Sequence, residues 1–114
     1  MISHLVLFSP QTAIGEAQKT EILTSLQRAL AQCPTVRASR VGRRVRHGLP
    51  GYEQSMRVDY QYTLMLEFDD VDGLRAYLEH PAHGAIGGLF TNAASASLAY
   101  DYELMDLSDA TRIL

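Results

Sequence analysis

The stretch ISHLVLFS, residues 2–9, alternates between the two sides of a predicted β-strand, and both sides are largely apolar. His4 shares one side with the apolar residues at positions 2, 6 and 8, while Leu5 and Leu7 fall on the other. This pattern is typical of a strand that is covered on both faces. Because the helices of a small domain cover only one face, we expect a partner sheet on the other, and therefore a homodimer.

The rest of the chain divides into helical and extended patterns around this strand. We predict a helix at 16–32, a strand at 35–45, a strand at 58–68, a helix after Asp70, a helical segment from Pro81 to about residue 92, and a strand at 95–104. The order strand, helix, strand, strand, helix, strand is that of an α+β ferredoxin-like split βαβ sandwich. With 114 residues, the chain is expected to form a single domain over 1–114.

Two less regular regions lie in the middle of the chain. Residues 37–46 contain five arginines, which could steer an anionic ligand or partner, although a solvated strand and loop is the simpler interpretation. The strand there is expected to be an edge strand or to bulge near Gly42. Residues 46–57 contain two glycines and a proline, so they predict a long loop of the kind that serves as a lid or a partner contact.

Composition excludes several classes of partner. A net charge of −3 gives no drive toward nucleic acid or a membrane surface, and no apolar run approaches the roughly 20 residues that span a bilayer. The N-terminus lacks a basic region followed by a hydrophobic one, so we expect a cytoplasmic protein. The one cysteine, Cys33, is expected to be a buried small hydrophobe rather than a nucleophile.

The motif His80-Pro81-Ala82-His83 combines a helix break with a candidate catalytic group. Proline at the first position of a helix loses no hydrogen bond, so Pro81 is expected to restart a helix that falters at His80. His83 then shares the inner face with residues 86, 87 and 90. Since residue 87 is glycine, the space beside the imidazole could be open, which would leave a cavity with one titratable group.

His4 and Tyr77 are expected to approach His83 across the core. Histidine near neutrality can take a proton from carbon or oxygen, tyrosine can hydrogen-bond an enolate, and a second histidine can orient the substrate. Taken singly, His4 is more simply a hydrogen-bonded core residue and Tyr77 a packing residue. His80 is expected to make a local backbone hydrogen bond. A metal needs three or four ligands and the proline turns His80 away from His83, so we predict neither a metal nor a cofactor.

Three segments carry a family resemblance: HLVLF at 4–8, YLEHPAH at 77–83 and YDY at 100–102. They resemble the stress-responsive A/B barrel (Dabb) family over nearly the whole chain. The resemblance implies a ferredoxin-like domain that dimerises through its sheet into an α+β barrel. Asp59 departs from the pattern, because family members often carry glycine at this position.

The same resemblance implies a function. It points to cofactor-free chemistry like that of a polyketide cyclase or a lyase on a small hydrophobic or aromatic, polyketide-like ligand. His83 would be the general base, Tyr77 would steady the base or the enolate, and His4 would position a carbonyl. Two alternatives remain open: a non-enzymatic, stress-related binding or interaction module, and a cofactor-independent oxygenase or isomerase. Fold alone does not separate them.

Overall fold

The computed structural model describes the backbone of residues 1–114 and every side chain except that of Leu89. Four strands and three helices make up the fold. In chain order these are β1 (Ile2–Pro10), α1 (Glu16–Ala31), β2 (Val36–Arg43), β3 (Tyr62–Phe68), α2 (Val71–Glu79), α3 (Pro81–Ala93) and β4 (Ala94–Glu103). This is the predicted ferredoxin-like α+β arrangement.

The strands form one antiparallel sheet in the order β2-β3-β1-β4. β1 is therefore paired on both sides, and its residue His4 lies opposite Leu66 of β3 and Asp101 of β4. Because directly opposed residues point to the same face of a sheet, these three side chains share the face that the helices cover. β2 and β4 are the edge strands, as the irregular pattern of β2 predicted.

The core lies between that face and the three helices. Leu66 and Phe68 of β3 are completely buried there, and Tyr77 of α2 is 2 % exposed. Helix α1 contributes Leu26 and Ala29, and the buried members also include Cys33, which agrees with the prediction of a buried thiol. These contacts hold α1 and α2 against the sheet. Helix α3 lies beside them and contributes Ile86 to the same core.

The helix boundaries follow from local chemistry. Asp70 caps α2 by accepting a hydrogen bond from the Gly73 backbone N–H at 2.8 Å. Helix α2 ends at His80, which also caps α3, while Pro81 occupies the first turn of α3 as predicted. Across the described part of the chain, none of the helices is long and apolar enough to cross a membrane.

The structure corrects three details of the sequence interpretation. β3 begins at Tyr62 rather than at residue 58, since its ladders with β1 and β2 both end at Tyr62. The irregularity in β2 lies between Val36 and Ala38 rather than near Gly42. The C-terminal tail contains a 3-10 helix at Leu107–Arg112.

Residues 46–57 form an ordered loop with a 3-10 helix at Glu53–Ser55. The loop turns at Gly48 and Gly51, whose positive φ angles of 75° and 85° favour glycine. Glu53 accepts a hydrogen bond from the Gly48 backbone N–H, and the Gln54 amide donates to the Leu49 carbonyl at 2.7 Å. The predicted loop therefore has a fixed internal framework.

The sheet face opposite the helices carries an apolar surface that we call the outer face. Its apolar side chains come from three strands: Leu5, Leu7, Met65, Leu98, Tyr100 and Tyr102. Tyr100 and Tyr102 are 53 % and 50 % exposed. The sequence pattern of β1 predicted apolar character on this face.

Leu66→Ala tests whether the buried side chains of β3 stabilise the fold. Removing a completely buried side chain leaves a cavity, so we expect the free energy of unfolding to fall by about 2–5 kcal/mol. Urea denaturation measures this loss. Leu107→Ala is the control, because Leu107 is 88 % exposed and its truncation should change stability by less than about 0.5 kcal/mol. Equal losses in the two variants would contradict this description of the core.

Candidate active site

His4 lies in the middle of the helix-facing side of β1 and is only 4 % exposed. Its Nδ1 is 2.6 Å from Oδ1 of Asp101, the residue opposite it on β4. A buried polar group needs such a partner, because leaving it without one costs about 1–3 kcal/mol. The carboxylate therefore fixes the orientation of the His4 imidazole.

Tyr77 and His83 approach His4 from the helices, as the sequence predicted. The ring centroids of His4 and Tyr77 are 5.8 Å apart, those of His4 and His83 are 6.5 Å apart, and those of Tyr77 and His83 are 4.9 Å apart. All three pairs have an edge-on geometry. β1 and the junction of α2 with α3, which are far apart in the chain, thus converge in one cluster.

The environment of His83 favours its neutral form. Burial lowers the pKa of His83, and the neighbouring His4 lowers it further, while a hydrogen bond with the Leu78 backbone acts in the opposite direction. A neutral imidazole has one nitrogen with a free lone pair, so it can accept a proton. His83 is half-buried in this cluster.

Tyr77 has the complementary property. Burial raises its pKa to about 12, and the nearby Cys33 adds a smaller effect in the same direction. The phenol is therefore protonated at neutral pH, and its hydroxyl can donate a hydrogen bond. Taken singly, Tyr77 was expected to be a packing residue, and the structure buries it.

His80 stands apart from this cluster. Its Nδ1 accepts a hydrogen bond from the Ala82 backbone N–H at 3.1 Å, which is the local role that the sequence predicted. Among the side chains that the structure describes, no group of three or more histidine, cysteine, aspartate or glutamate residues is arranged to hold a metal ion. The two histidines of the motif therefore have separate roles.

A cavity of about 490 Å³ lies between α1 and the sheet. Its wall is mostly apolar and comes from α1, α3 and three strands, and its members include Val6, Phe8, Ile22, Leu26, Leu64 and Phe90. Lys19 and Arg43 are the two cationic residues in this wall. The volume is within the range of small-molecule sites. We call this space the apolar cavity.

His83 is not among the residues that line the apolar cavity. The cavity instead reaches Val6, two residues after His4 on the same strand face, and Phe90, two helical turns beyond His83 on the same face of α3. Gly87 lies one helical turn after His83 on the same face of α3, and an added Cβ atom there would meet nothing within 4 Å. The space beside Gly87 is therefore open, although Gly87 is not among the residues that line the apolar cavity.

A model of the stress responsive A/B barrel domain matches residues 2–104. The chain belongs to this family. An uncharacterized protein of Streptomyces coelicolor is 32 % identical over 108 residues, which span 90 % of this chain and 99 % of that protein. Olivetolic acid cyclase of Cannabis sativa is 23 % identical over 101 residues, covering 89 % of this chain and 94 % of the cyclase.

Solved structures share the fold of this family member. A dimeric ferredoxin-like protein of unknown function from Thermobifida fusca superposes with a TM-score of 0.69 at 23 % identity, covering 90 % of each chain. Hydroxynitrile lyase from Passiflora edulis superposes with a TM-score of 0.76 at 11 % identity, covering 92 % of this chain and 94 % of the lyase. Similar folds therefore occur in dimeric proteins and in an enzyme with lyase activity.

The sequence analysis did not include Asp101 among the site residues. In the tripeptide YDY at 100–102, the two tyrosines lie on one face of the predicted strand and Asp101 lies on the other. One sequence signal could have identified Asp101. Both His4 and Asp101 are polar residues on strand faces that the helices cover. A buried histidine in one strand and a carboxylate in another predict an ion-paired contact only once the strand order is known.

His83→Gln tests the environment of His83 through the pH dependence of stability. The pKa of His83 is lower in the folded chain than the ordinary 6.5 that applies when unfolded, so protonation favours unfolding. Wild type should therefore lose stability relative to the variant as pH falls through about 6.5 toward the folded pKa. Above the unfolded pKa, the difference between the two proteins should be constant. Urea denaturation at a series of pH values measures this, and parallel curves throughout would contradict a lowered pKa.

Proposed function

We propose that this protein is a cofactor-free acid–base catalyst in which His83 removes a proton from a small, largely apolar carbonyl compound held in the apolar cavity. The observation that carries the proposal is a half-buried imidazole with a lowered pKa, which has open space at Gly87 on its own helix face and a cavity of ligand size that reaches Phe90 on that face. The cyclase relative supports the reaction class, because its name describes ring closure.

The proposed step begins with a C–H bond between two carbonyl groups. His83 takes this proton through its free ring nitrogen, and the electron pair of the C–H bond passes into an enolate. In a linear poly-β-ketone, the enolate carbon then attacks a second carbonyl carbon of the same molecule and closes a ring. The new alkoxide takes up the proton that His83 carried, so the base returns to its neutral form.

The other two residues have supporting roles in this proposal. Tyr77 keeps its proton at neutral pH, so its hydroxyl can donate a hydrogen bond to an enolate oxygen but cannot compete as a base. The Asp101 carboxylate accepts a hydrogen bond from Nδ1–H of His4, so Nε2 of the neutral imidazole is an acceptor that can hold the hydroxyl of a substrate carbonyl in its enol form. The site would then contain two acceptor nitrogens, on His83 and His4, and one donor, Tyr77.

His83→Gln also tests the catalytic role. Ethyl butyrylacetate has an acidic methylene group between two carbonyls and a short alkyl tail, so its proton exchange in heavy water needs only a base. We expect wild type to accelerate the exchange measured by NMR above the buffer rate, and His83→Gln to reduce the enzymatic rate by roughly 10²–10⁴-fold. An unchanged rate in His83→Gln, or no acceleration by wild type, would favour the non-enzymatic binding module.

Gly87→Leu and Gly88→Leu form a matched pair that tests the path between cavity and base. Both positions have open space around an added Cβ, and both substitutions improve helix propensity by a similar amount. Only Gly87 lies on the helix face of His83, while Gly88 is exposed. We expect Gly87→Leu to slow the exchange by at least about tenfold, because the leucine side chain would fill the space beside His83 and displace the substrate. Gly88→Leu should leave the exchange rate unchanged. The same rate in both variants would show that substrate does not pass Gly87.

We also propose that two copies of this chain dimerise through the outer face. The support is the apolar surface on β1, β3 and β4, together with the dimeric state of structural neighbours such as the Thermobifida fusca protein. Burying this surface would remove from water two tyrosines that are half exposed in the single chain. The helix face and its cavity stay free in such a dimer.

Tyr100→Asp tests this interface. A charge in the middle of the outer face should weaken dimerisation by roughly 30-fold or more, as for a tyrosine hot spot. Analytical ultracentrifugation measures the dissociation constant. Val71→Asp on α2 is the control, because Val71 is 54 % exposed and Tyr100 is 53 % exposed, but Val71 lies on the helix side. A monomeric wild type at micromolar concentration would contradict the dimer.

A further inference from the structure

A second cavity lies at the end of the sheet where the loop 46–57 passes β2 and β3. Its volume is also about 490 Å³, and its lining includes three arginines, Arg43, Arg44 and Arg57, with no acidic residue. Tyr60 and Tyr62 add phenol groups to the same wall. We call this space the basic cavity, because its charged lining has one sign only.

The two cavities share a wall. Arg43, Tyr62 and Thr63 line both of them. Arg43 and Tyr62 lie directly opposite each other at the end of the β2–β3 ladder, on the helix-facing side of the sheet. An apolar space and a basic space therefore meet at one arginine.

The charges of this region are unequally compensated. Asp59 bridges Arg44 and Arg46, with a distance of 2.7 Å between Arg44 Nη1 and Asp59 Oδ1. The two guanidinium groups, Arg46 first, hold the pKa of the Asp59 carboxyl below its usual range, so this carboxylate is already saturated. Among the described side chains, no salt bridge involves Arg43 or Arg57, and Arg43 is exposed.

We propose that Arg43, assisted by Arg57, binds the anionic end of an amphipathic ligand whose apolar part occupies the apolar cavity. A guanidinium with free N–H donors at the border of an apolar space suits a carboxylate or phosphate group attached to an apolar body. A neutral or cationic head at the same position would leave this exposed arginine with water alone as its partner. The inference rests on the proposed function, since it names the substrate class of the same site.

Binding of four amphiphiles with the same decyl tail tests this assignment. Decanoate, decyl phosphate, decanol and decyltrimethylammonium are titrated by calorimetry below their micelle-forming concentrations. We expect the two anions to bind at least about tenfold more tightly than decanol, and the cation to bind most weakly. A preference between carboxylate and phosphate then identifies which anionic group the site takes. Equal affinity for decanoate, decyl phosphate and decanol, or no binding of any of them, would overturn the proposal.

Arg43→Gln is the decisive variant. It should reduce the affinity for both anions to that of decanol and leave decanol binding unchanged, because the apolar cavity keeps its shape. Arg57→Gln should reduce the anion preference partially. Arg75→Gln removes the same charge from an exposed position on α2 and should retain the full preference. If Arg43→Gln and Arg75→Gln lose the preference equally, the effect is one of overall charge and the assignment is wrong.

The binding experiment and the catalytic experiment fail independently. Calorimetry requires no reaction, so His83→Gln should bind decanoate as tightly as wild type even though its proton exchange is slow. If wild type binds the anions selectively but does not accelerate exchange, the result supports the proposed ligand class and contradicts the catalytic role of His83. If exchange depends on His83 while the anions and decanol bind with equal affinity, the result supports the proposed function and contradicts the role of Arg43.

Discussion

The candidate site depends on the register of β1 in the sheet. This strand is paired on both sides, with β3 and with β4, and the two ladders together fix which of its side chains face the helices. A shift of one residue would move His4 to the outer face and bring Leu5 into its place. The position of His4 is thus secured by two sets of backbone hydrogen bonds as well as by its contact with Asp101.

Burial then determines the protonation of the cluster. Removing a group from water disfavours its charged form, so the same cause lowers the pKa of His83 and raises that of Tyr77. Both groups are driven toward their neutral forms, one as an acceptor and the other as a donor. Asp101 is more exposed than His4, with 40 % of its side chain accessible against 5 %, so its charge retains contact with water. The carboxylate that orients His4 is therefore the more water-exposed partner of this contact.

Local patterns predicted most of the fold and the three clustered residues. The alternation of β1 placed His4 on one face with positions 2, 6 and 8 without deciding which face the helices cover, and the helix restart at Pro81 placed His83 on the inner face of α3. Long-range geometry accounts for what was not predicted. The contact with Asp101 depends on β4 lying next to β1, which alternation within either strand does not reveal. The start of β3 was placed too early because alternation continues to residue 58, whereas the regular ladders with β1 and β2 stop at Tyr62.

Cys33 has a practical consequence for experiments on this chain. It is the one cysteine in the sequence, it is 4 % exposed, and burial raises the pKa of its thiol. A thiol of this kind is slow to react, because the thiolate is the nucleophile. A cysteine introduced at an accessible position such as Leu23, which borders the apolar cavity and is 49 % exposed, would therefore react selectively with a fluorescent or spin label. The native protein is already a suitable background for spectroscopy at the cavity entrance.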